Sequence, residues 1–253
     1  MIAAPRGAFS AYSKIMKRLP LLAAALVLGT SAVPEPQQGV SLKGTVVIKG
    51  AIPMPKRIRM NDAEGHCRSK VKGEINAEDI VAGPKGHVKW AFVYVKGGLE
   101  GKKFDIPKTP VMIQQQTCTY VPRVTGIMVG QDLMIKSGDP VLHIPHVNPV
   151  KNKEWGFSQA KVGDERVKQF TAPEVMVRLI CDVHAWMEAW IGVLEHPFWA
   201  VTDLKGAFEI KKLPPGKYTI EVWHELYEPV TQEIEVGAST PKAMAFELSG
   251  RKK

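Results

Sequence analysis

Cys181-Asp-Val-His184-Ala-Trp-Met187 places three metal donors within a single short segment, and about forty residues earlier an apolar run ends in His143. A thiolate, two imidazoles and a thioether form the ligand set that copper prefers for electron transfer, the sulfur and nitrogens in a trigonal plane and the thioether as a weak axial contact. Each residue alone has a plainer reading. A single Cys is among the most buried residue types, and a Met beside Trp186 and Trp190 is usually core. A single His is more often on the surface. Their combined spacing, after one strand and before another, favours a site: one loop delivers three donors and the strand framework holds the fourth.

That fourth donor comes from Asp139-Pro-Val-Leu-His143-Ile-Pro-His146. Positions three apart on a strand point to opposite faces, so both histidines serve one ion only if the strand breaks between them. Pro145 is a residue that supplies such a break. His143 is the preferred ligand. His146 is the alternative, or else lines the site or meets a partner. His196 and His224, the latter beside Glu225, read as hydrogen-bonded histidines at a domain boundary rather than a second metal site. His66 and His87 are weaker candidates still.

The elements that position these donors are strands. Helix signals are nearly absent, Gly and Pro recur every eight to fifteen residues, and Val, Ile and aromatic residues fill the gaps, as in an all-β sandwich. Strands are expected at 45–49, 88–95, 111–116, 133–136, 141–143, 166–170, 175–181 and 190–194. Val175, Val177, Leu179 and Cys181 share one face by the strand period, as do Val88, Trp90, Phe92 and Tyr94. The polar stretch 148–163 reads as an excursion loop. After Pro197 the turns tighten: a hairpin is expected over 200–210 with its turn at 203–206, then strands at 218–224, 231–236 and 243–248. The domains are therefore 1–32 signal peptide, 40–197 sandwich and 198–248 small β module, which buries too little apolar area alone and packs on the sandwich.

Met16-Lys17-Arg18, the apolar run 19–29 and Thr30-Ser31-Ala32 have the three parts of a secretory signal peptide. The run is short for a membrane span, although an uncleaved tether is the alternative. Removing 1–32 takes away four basic groups and no acidic one, so the formal charge falls from +9 to +5. Basic residues interspersed with acidic ones do not make a nucleic-acid footprint, which needs clustering. They do allow a Lys-bearing docking face for an acidic partner. The three cysteines divide into two plus one. Export to a periplasmic or other oxidising compartment favours a Cys67–Cys118 disulfide, and the unpaired Cys181 then asks for a metal or reactive role.

The arrangement resembles the cupredoxin, or blue-copper, family, in which a histidine follows a phrase like Gly130-Gln-Asp-Leu-Met-Ile-Lys-Ser-Gly-Asp-Pro-Val-Leu-His143. The loop Cys181-x2-His184-x2-Met187 is similar to that of the amicyanin branch. The resemblance implies a Greek-key sandwich and one mononuclear type-1 copper site with ligands His143, Cys181, His184 and Met187. Two departures stand out: Ile144 follows the first histidine where the family commonly has Asn, and Ser137 stands where it often has Asn. The whole chain also resembles exported bacterial methylamine-utilisation-like and plastocyanin-like proteins carrying a carboxypeptidase-regulatory-like C-terminal segment. Cys118-Thr-Tyr-Val-Pro122, Glu195-His-Pro-Phe198, Leu213-Pro-Pro-Gly-Lys-Tyr218 and Trp223-His-Glu225 carry that likeness.

The expected function is thus one-electron transfer by an exported type-1 copper protein between redox-protein donors and acceptors, cytochromes among them. The alternative is a copper chaperone or a non-redox interaction module. Catalysis is not expected, because the chain has no His-x-His for further copper ions, no Cys-x3-Cys at Cys181 and no oxyanion-hole signal. No nucleic acid and no substrate of its own are expected.

Overall fold

The computed structural model describes residues 39–60, 65–237, 240 and 243–252, so the expected signal at 1–32 lies outside the described residues. The described chain is almost entirely strand. It runs through β1 (Val40–Ile48), β2 (Arg57–Ile58), the four-residue helix α1 (His66–Ser69), β3 (Ile75–Asn76), β4 (Phe92–Gly97), β5 (Val111–Gln116) and β6 (Thr119–Val121). Then come β7 (Val124–Met128), β8 (Leu133–Ser137), β9 (Pro145–Val147), β10 (Trp155–Gly156), β11 (Glu165–Lys168) and β12 (Glu174–Cys181). The last are β13 (Glu188–Leu194), β14 (Trp199–Val201), β15 (Ala207–Leu213), β16 (Gly216–His224), β17 (Tyr227–Val236) and β18 (Met244–Leu248). No helix among the described residues is long and apolar enough to cross a membrane.

Two sheets, ordered β10-β9-β12-β13-β7 and β11-β8-β5-β6, form a β-sandwich around one apolar core. Ile113, Leu133, Ile135, Val147, Val177, Leu179 and Ile191 belong to its core, which also contains Cys67, Cys118, Cys181 and Met187. Alternation along β12 explains the placing: Val177, Leu179 and Cys181 are buried while Arg178 between them is exposed. A further pair of sheets, β15-β1-β18 and β14-β4-β16-β17, encloses a separate apolar cluster that includes Leu42, Val46, Val93, Val95, Ile220 and Phe246. Strand pairing thus joins β1 and β4 to the residues after 198.

The period of β4 links the two cores. Val93 and Val95 face the second cluster, while Phe92 and Tyr94 turn to a third, where they meet Val124, Leu194 and Trp223. Gly126 and Gly192 are register partners on β7 and β13. A Cβ on Gly126 would lie 2.4 Å from the Trp199 ring, and one on Gly192 2.4 Å from the Phe92 ring. The absent side chains therefore make the bay in which those two rings stack, 5.7 Å apart. Arg123 adds a buried ionic tie: its Nε and Nη2 donate to the two Glu225 oxygens at 3.0 and 2.8 Å, and Nη2 also reaches Glu188 at 3.0 Å.

The structure departs from the strand expectations in three informative places. His143 precedes β9 and meets Gln159 in an isolated bridge, because Pro140 and Pro145 interrupt a regular strand there. The 148–163 excursion returns to make that bridge. Residues 199–213 are two strands in different sheets rather than a hairpin: β14 pairs with β4 and β15 with β1. The turn between them is where expected, with Asp203 Oδ1 accepting from the Lys205 and Ala207 N–H groups at 2.8 and 2.9 Å.

Candidate metal centre

Cys181 ends β12 opposite Pro145 of β9, and the Ile144 N–H lies 3.4 Å from its sulfur. The chain then turns through residues 182–186, closed by a Met187 N–H to His184 C=O bond of 2.9 Å. This turn swings His184 back over Cys181, with Nδ1 3.8 Å from Sγ. His143 comes from the other side. Its N–H and C=O both pair with Gln159 at 2.8 Å, and the Gln159 side chain is fixed in turn by Gln115, Ile135 C=O and Asp164 C=O. The His143 Nδ1 then sits 3.0 Å from His184 Nδ1 and 4.0 Å from Cys181 Sγ. A point equidistant from these three donor atoms lies about 2.1 Å from each, the length of a zinc–nitrogen bond and about 0.2 Å short of a zinc–sulfur bond.

All three residues are buried, His143 completely. Burial raises the Cys181 pKa, but hydrogen bonds from His143, His184 and the Ile144 N–H outweigh it and hold the thiol down to about 6. Burial lowers the His143 pKa, yet Asp139 and Cys181 prevail and raise it. The Asp139 carboxylate, 3.2 Å from His143 Nε2, holds the ring so that Nδ1 faces the other donors. His184 is held on two sides: its ring lies 4.9 Å from that of Trp186, and its Nε2 is 3.6 Å from Cys67 Sγ.

The Cys67–Cys118 disulfide forms as expected, with Cα atoms 5.5 Å apart, and leaves Cys181 as the free cysteine. The functional expectation is corrected. Among the described residues the fold assembles two groups of close donors, His143–Cys181–His184 and Cys118–Asp139–His143. Neither group includes a thioether, and Cys118 of the second is locked in the disulfide. The mononuclear type-1 copper site with His143, Cys181, His184 and Met187, and one-electron transfer through it, are therefore set aside. Met187 lies in the apolar core. The His184 ring is closed off from the surface, and the disulfide packs against its Nε2.

The remaining histidines fall outside this group. His146 points outward between Glu154 and Asp182, at 2.7 and 3.1 Å, and those two carboxylates raise its pKa. His196 bonds to Val95 C=O at 2.9 Å and accepts the Phe198 N–H at 3.2 Å. His224 accepts the Leu226 N–H at 3.2 Å, and burial pushes it down to about 3. Sequence reasoning overlooked Asp139 and Gln159. Asp139, four residues before His143, carried a usable signal; Gln159, in a stretch read as loop, carried none.

No family model and no curated protein matches the chain. Solved structures similar to it include a Cu-containing nitrite reductase from Thermus scotoductus, 21% identical with a TM-score of 0.33, the match covering 40% of this chain and 26% of that one. A purple cupredoxin from Nitrosopumilus maritimus is 19% identical with a TM-score of 0.29, covering 33% of this chain and 98% of its own. Amicyanin from Paracoccus versutus is 16% identical with a TM-score of 0.29, covering 40% and 96%. The likeness is one of fold, and it carries no argument about activity.

Proposed function

We propose that the chain is a metal-binding protein whose His143, Cys181 and His184 hold one closed-shell thiophilic ion, for which Zn2+ is the test ion. The observation that carries this reading is the convergence of three donors, two from the end of β12 and its turn and one from the segment before β9, at 3.0–4.0 Å in a buried spot. Imidazole and thiolate together suit such an ion. When bound, the ion supplies positive charge that neutralises the buried thiolate and cross-links the 181–187 turn to the segment before β9. The protein's part is to orient the rings, through Asp139 on His143 and through Trp186 and the disulfide on His184, and to exclude water. All three donors are buried, and the role proposed for them is metal binding.

Cobalt substitution tests the reading. One equivalent of Co2+ added to metal-free protein should give a thiolate-to-cobalt charge-transfer band, and Zn2+ should displace it. Cys181→Ser should abolish the band, and His184→Ala should weaken binding at least tenfold. A folded wild type that binds Co2+ without a thiolate band would overturn the assignment.

A further inference from the structure

The second donor group, Cys118–Asp139–His143, lies on the opposite edge of the same histidine. His143 turns Nδ1 toward Cys181 and His184, while Nε2 faces Asp139 Oδ2 at 3.2 Å. One donor atom from each of Cys118, Asp139 and His143 lies within 4.8 Å of the other two. We infer that opening the Cys67–Cys118 disulfide creates a second site for a thiophilic divalent cation, formed by the Cys118 thiolate, the Asp139 carboxylate and His143 Nε2. It shares His143 with the proposed Cys181 site through the other ring nitrogen, and a Cys181→Ser background separates the two.

The backbone of Cys118 is held by contacts besides its bond to Cys67. Thr117 and Cys118 form the two-residue turn between β5 and β6, and both have φ of 54° although neither is glycine. A left-handed conformation at two non-glycine residues costs about 1–2 kcal/mol each and persists only where the surroundings hold it. The surroundings do so here. Asp139 Oδ1 accepts the Thr117 N–H at 2.8 Å and Oδ2 the Cys118 N–H at 2.9 Å. Trp186 Nε1–H donates to Cys118 C=O at 3.0 Å. The sulfur of Cys118 is thus aimed by the turn, with the carboxylate that aims it also among the prospective ligands. An ionised carboxylate has about four lone-pair directions, enough to keep both N–H bonds and accept a cation in place of the His143 proton.

The covalent step balances with a dithiol reductant. The dithiol gives two electrons and two protons to the Cys67–Cys118 bond, becomes a disulfide itself, and leaves two thiols on the protein. Cation binding then releases the Cys118 thiol proton and the His143 Nε2 proton.

The test uses Cd2+ and the Cys181→Ser variant, which removes the first donor set. While oxidised, this protein should show no thiolate-to-cadmium absorption. After dithiol reduction to two titratable thiols it should bind one Cd2+ with that absorption. Cys67→Ser combined with Cys181→Ser should bind one Cd2+ without reductant, and adding Asp139→Asn should weaken that binding at least tenfold. Cys118→Ser combined with Cys181→Ser, which retains Cys67, should show no band. The inference is overturned if the folded Cys67→Ser, Cys181→Ser protein gives no cadmium–thiolate band, or if Cys67 alone gives the same band. Should that double variant not fold, the dithiol-reduced Cys181→Ser protein decides, and loss of its circular dichroism on reduction also overturns the inference.

Discussion

Cys181 is expected to titrate near pH 6 in the metal-free protein, well below a free cysteine. Burial works against this, since it disfavours the charged form. The hydrogen bonds from His143, His184 and the Ile144 N–H prevail and bring the thiol from its ordinary 9.0 to about 6. That difference corresponds to about 4 kcal/mol in favour of the thiolate. The direction for stability follows from the depressed value: the stabilisation is complete above the unfolded pKa and is lost as pH falls through about 6. Relative to Cys181→Ser, the wild type should gain up to about 2–3 kcal/mol between about pH 5 and pH 8. His143, whose pKa is raised, acts in the opposite sense and removes part of that gain as pH rises through its folded value. The direct assay is thiolate ultraviolet absorption against the Cys181→Ser variant; the other two cysteines are in the disulfide, so the difference reports Cys181 alone. His143→Gln should move the midpoint up. A wild-type midpoint at or above about 8.5, in the range of unperturbed cysteines, would show that burial prevails over the hydrogen bonds.

Three further outcomes are expected. Arg123→Met leaves Glu225 buried without its partner and should cost about 3–5 kcal/mol in urea unfolding; a loss under about 1 kcal/mol would show that the tie is replaceable. Gly192→Ala drives a methyl into the Phe92 ring and should cost about 1–3 kcal/mol, read as a lower thermal midpoint, and Gly126→Ala against Trp199 should behave alike. Replacing both Cys67 and Cys118 by Ser releases a loop of sequence separation 51 and should cost about 4 kcal/mol by loop entropy, measurable by chemical denaturation.

The strand period made much of the fold legible. Of the alternation Val175, Val177, Leu179, Cys181, the last three form the buried face of β12, whereas Val175, before a register shift, packs on another cluster; the Cys67–Cys118 pairing followed from the count of cysteines and the expectation of export. Strand β7 was missed: Val124–Met128 is buried on both faces and so shows no alternation, and Gly126 disguises it further. The bridge between His143 and Gln159 was also out of reach, since a backbone pairing across an irregular loop leaves no periodic mark. Around the candidate metal centre, residue types and spacing singled out the two histidines and the cysteine that the structure brings together. They could not show that the disulfide would come to rest on His184, because that contact spans 117 residues and depends on where α1 packs.

X-ray absorption at the zinc edge of the one-to-one Zn2+ complex reads all three donors at once. One sulfur at about 2.3 Å and two imidazole nitrogens at about 2.0–2.1 Å are expected, with the sulfur shell gone in Cys181→Ser. A zinc shell made of nitrogen and oxygen alone in the folded wild type would contradict the proposed site.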